Sequence, residues 1–204
     1  MRTEPENMWI LKKSVSVSWL AKQLSRRQIG PRYTSKPLFH TWGSDFMRVL
    51  MLATTAAMIE QFNKNNIELL ESLGYEVHVA GNFEQGNPIT YERLEEFKKW
   101  IGEHNGKWFH IPSTRKPNDL RNNCMALKIV IKMINEYHYD FIHCHTPIGS
   151  VIGRIAARKT HTKIIYTAHG FHFYDGAPLK NWLIFYPIEK HFSRYTDVLI
   201  TINK

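Results

Sequence analysis

From Met47 onward the chain alternates short apolar runs with stretches of helical character, and this alternation limits the fold more than any other feature. "MRVLMLAT", "YEVHVAG", "KWFHI", "YDFIHCHT", "KIIYTAH" and "DVLITIN" read as six strands. Between them lie a helical stretch from Met58 to Leu73 stopped by Gly74, and "ERLEEFKKWIGEHNG" as an exposed helix. A helix capped by Asp119 runs to about His138, with Leu120, Met125, Leu127, Val130, Ile131 and Ile134 near one face. Another opens at Pro147 and runs to about Lys159, and a last one spans Trp182 to Arg194. Strands that alternate with helices predict an α/β fold: a doubly wound, mostly parallel Rossmann-like sheet over residues 47–204. "YEVHVAG" alternates enough to lie near a sheet edge.

Residues 1–46 follow a different grammar. They hold eight Lys or Arg and three Asp or Glu, a net +5 out of the chain's +9. "WILKKSVSVSWLAKQLSRRQ" predicts either a basic amphipathic helix suited to an anionic membrane surface or a tail outside the core, translated ahead of a native start at Met47. No run approaches the roughly 20 apolar residues that span a bilayer. Cys124 and Cys144 lack metal or redox spacing, which fits reduced thiols in a cytoplasmic protein. No nucleic-acid motif is present, so the basic excess is assigned to solvent or to an anionic surface.

Ligands of such sheets collect at the C-terminal ends of the strands. After the first strand come Ala53, Thr54, Thr55 and Ala56, small side chains that allow close approach and lead into a helix N-terminus able to meet an anion. The loop has no glycine-rich fingerprint, so no dinucleotide cofactor is expected. A tight turn without ligand fits these residues equally well. His143 and His145 share one face of the fourth strand, Cys144 takes the other, and Thr146-Pro147 follows. The fifth strand ends on His169-Gly170. There Gly170 permits a sharp turn, and His169 can bond a sugar hydroxyl or phosphate or act as an acid or base. His172, Tyr174 and Asp175 lie on the same loop and are expected to line that cleft. The neighbouring "LKNWLIFYP" is read as core packing, with a lip for a lipid-linked substrate as the alternative. Four histidines raise the question of zinc, but no carboxylate or thiolate is placed to complete a site, and no metal is expected.

"VLMLATTAAMIEQFNKNNIELLESLGYEVHVAGNFE", "YDFIHCHTPIGSVIGRIAARK" and "KIIYTAHGFHFYDGAPLKNWLIFYPIEKHFSRYTDVLITINK" resemble the amino-terminal half of family 4 glycosyltransferases, closest to bacterial capsular and exopolysaccharide enzymes. The resemblance covers about residues 47–204, thins within 104–120 and does not touch 1–46. It implies a GT-B architecture in which this half holds the acceptor. It also implies a nucleotide-sugar donor, a UDP-sugar, as substrate, no metal or other cofactor, and a polyprenyl-linked or saccharide acceptor. By the same resemblance Thr54-Thr55 lies near donor phosphates and acceptor, His169 contacts the transferring sugar, and His145 and Thr146 stand on the acceptor side. The first-strand loop departs from the family in lacking its paired glycines. The sequence ends at Lys204 where the family continues into a donor domain, so the expectation is an incomplete enzyme, inactive alone, peripheral at the inner face of the cell membrane. The alternatives are a non-catalytic acceptor-binding or membrane-docking subunit with a separate donor chain, and half of a nucleotide-sugar epimerase.

Overall fold

The computed structural model describes residues 47–174 and 176–202; the predicted basic extension over 1–46 lies outside the described residues, as does Asp175. Six strands, β1 (Met47–Thr55), β2 (Tyr75–Asn82), β3 (Lys107–His110), β4 (Phe141–His145), β5 (Lys163–Ala168) and β6 (Val198–Thr201), form one sheet in the order β3-β2-β1-β4-β5-β6. Every pairing is parallel. β1 thus lies in the middle and the later strands wind outward in both directions, as the sequence predicts. β2 sits one place in from the β3 edge.

The helices are α1 (Ala56–Phe62), α2 (Lys64–Ser72), α3 (Tyr91–Glu103), α4 (Leu120–Tyr137), α5 (Pro147–Thr160) and α6 (Leu179–Phe192). The period of two along β1 divides the core. Val49, Met51 and Ala53 join Ile59, Ile67, Leu94 and Phe97 on one face. Leu50 and Leu52 join Val130, Met133, Ile152 and Ala156 on the other. Both faces are covered, so the strands read as apolar runs instead of clean alternation.

Four local readings change. The helix predicted from Met58 to Leu73 is two helices broken at Asn63, which is 1% exposed. The Asn63 side chain donates to the Met58 carbonyl and accepts from Asn66 Nδ2, giving the backbone an alternative to helix. On α4, Leu120 and Met125 are exposed, and Ala126 and Met133 take the buried face with Val130 and Ile134. Asp119 does cap α4, accepting from Asn122 N–H at 3.3 Å. The helix predicted as exposed, α3, buries Leu94, Phe97 and Ile101.

The fourth correction concerns α6, whose "LKNWLIFYP" the sequence assigns to core packing. None of its residues is buried, and Leu179, Leu183 and Ile184 are exposed. Proline at 187 sits inside the helix, and only one flank reaches the domain. There Trp182 and Tyr186 meet the buried Phe173 ring at 5.5 Å each. Glu189 meets Arg154, which is 1% exposed on α5.

Candidate functional site at the C-terminal ends of the strands

The ends of β1 and β4 are sewn together by two threonines. Thr54 N–H donates to Thr146 Oγ1 at 3.0 Å, the two hydroxyls lie 2.7 Å apart, and Gly149 N–H donates to Thr54 Oγ1 at 3.1 Å. Thr146 also donates to the His145 carbonyl. With that donor committed, the shared proton between the hydroxyls comes from Thr54. Thr146 holds φ at +64°, costly for a β-branched residue, and these bonds hold it there. Gly149 is required for this approach, because a Cβ there would stand 2.9 Å from both Thr146 Oγ1 and Thr54 N. Thr54 is therefore buried and internally committed. The helix N-terminus expected to offer free N–H groups has Ala57 N–H already bonded to Asn87 Oδ1 at 2.9 Å. Thr55 is buried, and its hydroxyl finds no partner among the described residues.

Three histidines line up across β4 and β5. His143 Nε2 lies 2.8 Å from Thr167 Oγ1, and the His143 and His145 rings are 4.3 Å apart. His145 Nδ1 lies 3.2 Å from His169 Nε2. His143 and His145 are buried, and His169 is exposed beside the Phe62 ring, 6.3 Å away. Burial pushes His143 down to about 4, helped by the charge that His169 would carry. Burial and both neighbouring rings push His145 well below the ordinary histidine value, and loss of hydration lowers His169. At neutral pH the row is uncharged. Cys144, facing the opposite core, has its thiol raised to about 12 by burial and is chemically quiet. Among the described residues no three His, Cys, Asp or Glu side chains are arranged to hold a metal ion.

The loop after β5 turns at Gly170, φ +156°, where a Cβ would meet nothing within 4 Å. From there it leaves the histidine row. His172 packs its ring on Phe185 at 4.4 Å, and its carbonyl accepts from Asn181 Nδ2 at 3.0 Å. Tyr174 is exposed. Thr54, His145, Thr146 and His169 are thus brought together, whereas His172 faces α6. His172, Gly170, Phe171 and Phe173 line an apolar groove of about 360 Å³ between α4, α5 and α6.

Sequence reasoning missed a second recess. About 270 Å³ opens at the ends of β1, β2 and β3, lined by Thr55, Asn82, Ser113, Arg115, Lys116 and Asn122 among others. Ser113 Oγ donates to the Thr54 carbonyl, which ties this wall to the threonine seam. The strand-end rule applied after "KWFHI" would have pointed to "STRK", in the stretch where the family resemblance is thinnest.

Residues 59–204 match the profile of Glycosyltransferase Family 4. The chain is 41% identical over 160 residues to the Bacillus subtilis (strain 168) protein "Putative glycosyltransferase EpsD", covering 77% of this chain and 38% of that one. It is 26% identical over 96 residues to the Escherichia coli UDP-Gal:alpha-D-GlcNAc-diphosphoundecaprenol alpha-1,3-galactosyltransferase, covering 47% of this chain and 25% of that one. Among solved structures, Anabaena Alr3699/HepE in complex with UDP and glucose superposes with a TM-score of 0.50 at 15% identity, over 75% of this chain and 37% of that one. That superposition bears on the fold alone. The chain spans well under half the length of each of these proteins.

Proposed function

Because the chain belongs to glycosyltransferase family 4, we propose that it forms the acceptor side of an enzyme building a surface polysaccharide, capsular or exopolysaccharide. The enzyme moves a sugar from a UDP-sugar to a lipid-linked or saccharide acceptor. The observation that carries this reading is the convergence of the β1, β4 and β5 ends within a family member, with His169 exposed beside them. The name of the Escherichia coli protein, a galactosyltransferase acting on a diphosphoundecaprenol-linked sugar, supports a lipid-linked acceptor.

In this reading His169 contacts the transferring sugar, and Gly170 lets substrate approach the backbone. The Thr54–Thr146 seam shapes the floor of the cleft, with His145 behind His169. The recess bounded by Thr55, Arg115 and Lys116 receives the polar part of the acceptor. His172 and Tyr174 border the apolar side, where the 360 Å³ groove suits the hydrocarbon of a lipid-linked acceptor. No metal or cofactor takes part. Transfer requires donor-binding groups beyond these residues, in the same polypeptide or in a partner chain. Among the described residues no helix is long and apolar enough to cross a membrane. Contact with the inner face of the cell membrane would be peripheral, through the exposed Leu179, Leu183 and Ile184 of α6 beside Lys180.

The test is sugar transfer by the full-length protein, supplied with labelled UDP-sugars and a polyprenyl-diphosphate-linked saccharide. The expected result is a labelled lipid product, and about a 100-fold loss in His169→Ala at unchanged melting temperature, the scale for losing one hydrogen bond to the transition state. Wild-type turnover in His169→Ala would remove His169 from the chemistry. Absence of product across all donors and acceptors would overturn the transferase reading.

A further inference from the structure

The histidine row fixes more than the position of His169. A neutral imidazole carries one N–H and one lone pair on its two ring nitrogens. His145 is 0% exposed, so its neutral form is the one the fold accepts. Its Nδ1 lies 3.2 Å from His169 Nε2, and its own Nε2 is buried with no partner among the described residues. Two proton placements satisfy the short contact. With the proton of His145 on Nε2, a buried N–H has no acceptor while His169 donates to Nδ1. With it on Nδ1, that N–H donates to His169 Nε2, and only a lone pair is left alone. Buried donors without acceptors are the rarer defect in folded proteins, so the second placement is the stable one.

We infer that His145 is a positioning residue: its Nδ1–H donates to His169 Nε2 and holds His169 as the tautomer protonated on Nδ1. His169 then has its Nε2 lone pair occupied and a single donor, Nδ1–H, which meets no partner among the described residues. Such a ring can give a hydrogen bond to an oxygen in the cleft. It cannot take up a proton through Nε2 without breaking its bond to His145. In the sugar-transfer reading above, on which this consequence rests, His169 is a hydrogen-bond donor to a sugar or leaving-group oxygen and not a general base. The tautomer itself stands on the geometry of the two rings alone.

The experiment is a long-range ¹H–¹⁵N correlation spectrum of the 204-residue chain labelled with ¹⁵N-histidine, recorded at pH 7.5, with His169 identified by its absence from a His169→Gln spectrum. The expected result is a His169 proton on Nδ1 and an unprotonated Nε2. His145→Asn, whose amide nitrogen takes the place of Nδ1, should retain that pattern. His145→Leu should release it into a mixture of tautomers. A wild-type His169 protonated on Nε2 overturns the inference, as does an undiminished Nδ1–H form in folded His145→Leu. Should His145→Leu lose its spectral dispersion, the wild-type tautomer and its persistence in His145→Asn decide the matter. A negative result leaves the transfer assay untouched, so the two readings fail separately.

Discussion

Replacing Arg154 by alanine should cost this domain about as much as truncating a large buried apolar side chain. The guanidinium is 1% exposed and meets Glu189 twice, at 2.8 and 3.3 Å. It also donates to the Ser150 carbonyl at 3.1 Å and to Ser150 Oγ at 2.8 Å, and it lies over the Tyr166 and Phe192 rings at 4.6 and 5.1 Å. Truncation leaves the Glu189 carboxylate, 13% exposed, without its cation. Breaking a buried pair from one side costs about 3–5 kcal/mol. For a domain of this size each kcal/mol moves the melting temperature by about 2–4 °C, so Arg154→Ala should melt roughly 6–20 °C lower. Helix α6 buries no residue of its own, so its amides should lose hydrogen-exchange protection first. The double variant Arg154→Met with Glu189→Leu removes both charges and should recover most of the loss. Thermal denaturation followed by circular dichroism reads all three proteins. An Arg154→Ala melt within about 2 °C of wild type, below one kcal/mol on the same scale, would refute the argument. So would a double variant less stable than the single.

Acid should destabilise the fold in a window set by the histidines. The folded state refuses a proton that the unfolded chain binds, so the contribution of His143 is complete above its ordinary value of 6.5 and is lost as pH falls toward about 4. At 1.36 kcal/mol per unit that is about 3 kcal/mol from His143 alone, with His145 acting in the same direction. Glu76 acts in a separate window. Burial opposes its charge, but hydrogen bonds from His78 and Arg48 hold its carboxyl at about 2, so its share disappears only below about 4.5. Urea unfolding at pH 7.5 and 4.5 should differ accordingly, and equal midpoints would contradict the buried row. Gly149→Ala should cost about 1–3 kcal/mol by forcing the Thr54–Thr146 seam apart. Gly102→Ala, on α3 with nothing near the new methyl, should gain up to about 1 kcal/mol. Paired melts of the two variants check both signs.

What the sequence made legible follows from the physics of a parallel sheet. Strands buried on both faces read as largely apolar runs, so "VLMLA", "FIHCH" and "KIIYTA" announce themselves, and their C-terminal ends point to Thr54, His145 and His169. The misreadings have two causes, local side-chain competition for the backbone and tertiary partners far along the chain. Asn63 breaks a helix because its own amide competes for backbone groups, which a hydrophobic period does not register. The burial of Arg154 in "IGRIAARK", on which the sequence reading is silent, depends on Glu189, 35 positions later, folded against it. The apolar residues of α6 read as core because periodicity reports that a face is apolar and not which neighbour covers it.

The same distinction explains the character of the cleft. The residue types alone allowed His169 to be acid, base or hydrogen-bond partner, because an isolated histidine titrates near neutrality. Its surroundings narrow the choice: lost hydration around the ring disfavours an added positive charge. In the proposed sugar-transfer reading, the His169 N–H suits a hydroxyl or ether oxygen better than it suits neutralising a phosphate charge. Among the described residues lining the recess at the β1–β3 ends, the cations are Arg115 and Lys116, partly offset by Asp119. In that reading, charge stabilisation at Arg115 and Lys116 and hydroxyl recognition at His169 fall at separate places on this domain. A variant that removes Arg115 should weaken binding of an anionic acceptor while leaving the ring-nitrogen spectrum of His169 unchanged. If both shifted together, the separation would be wrong.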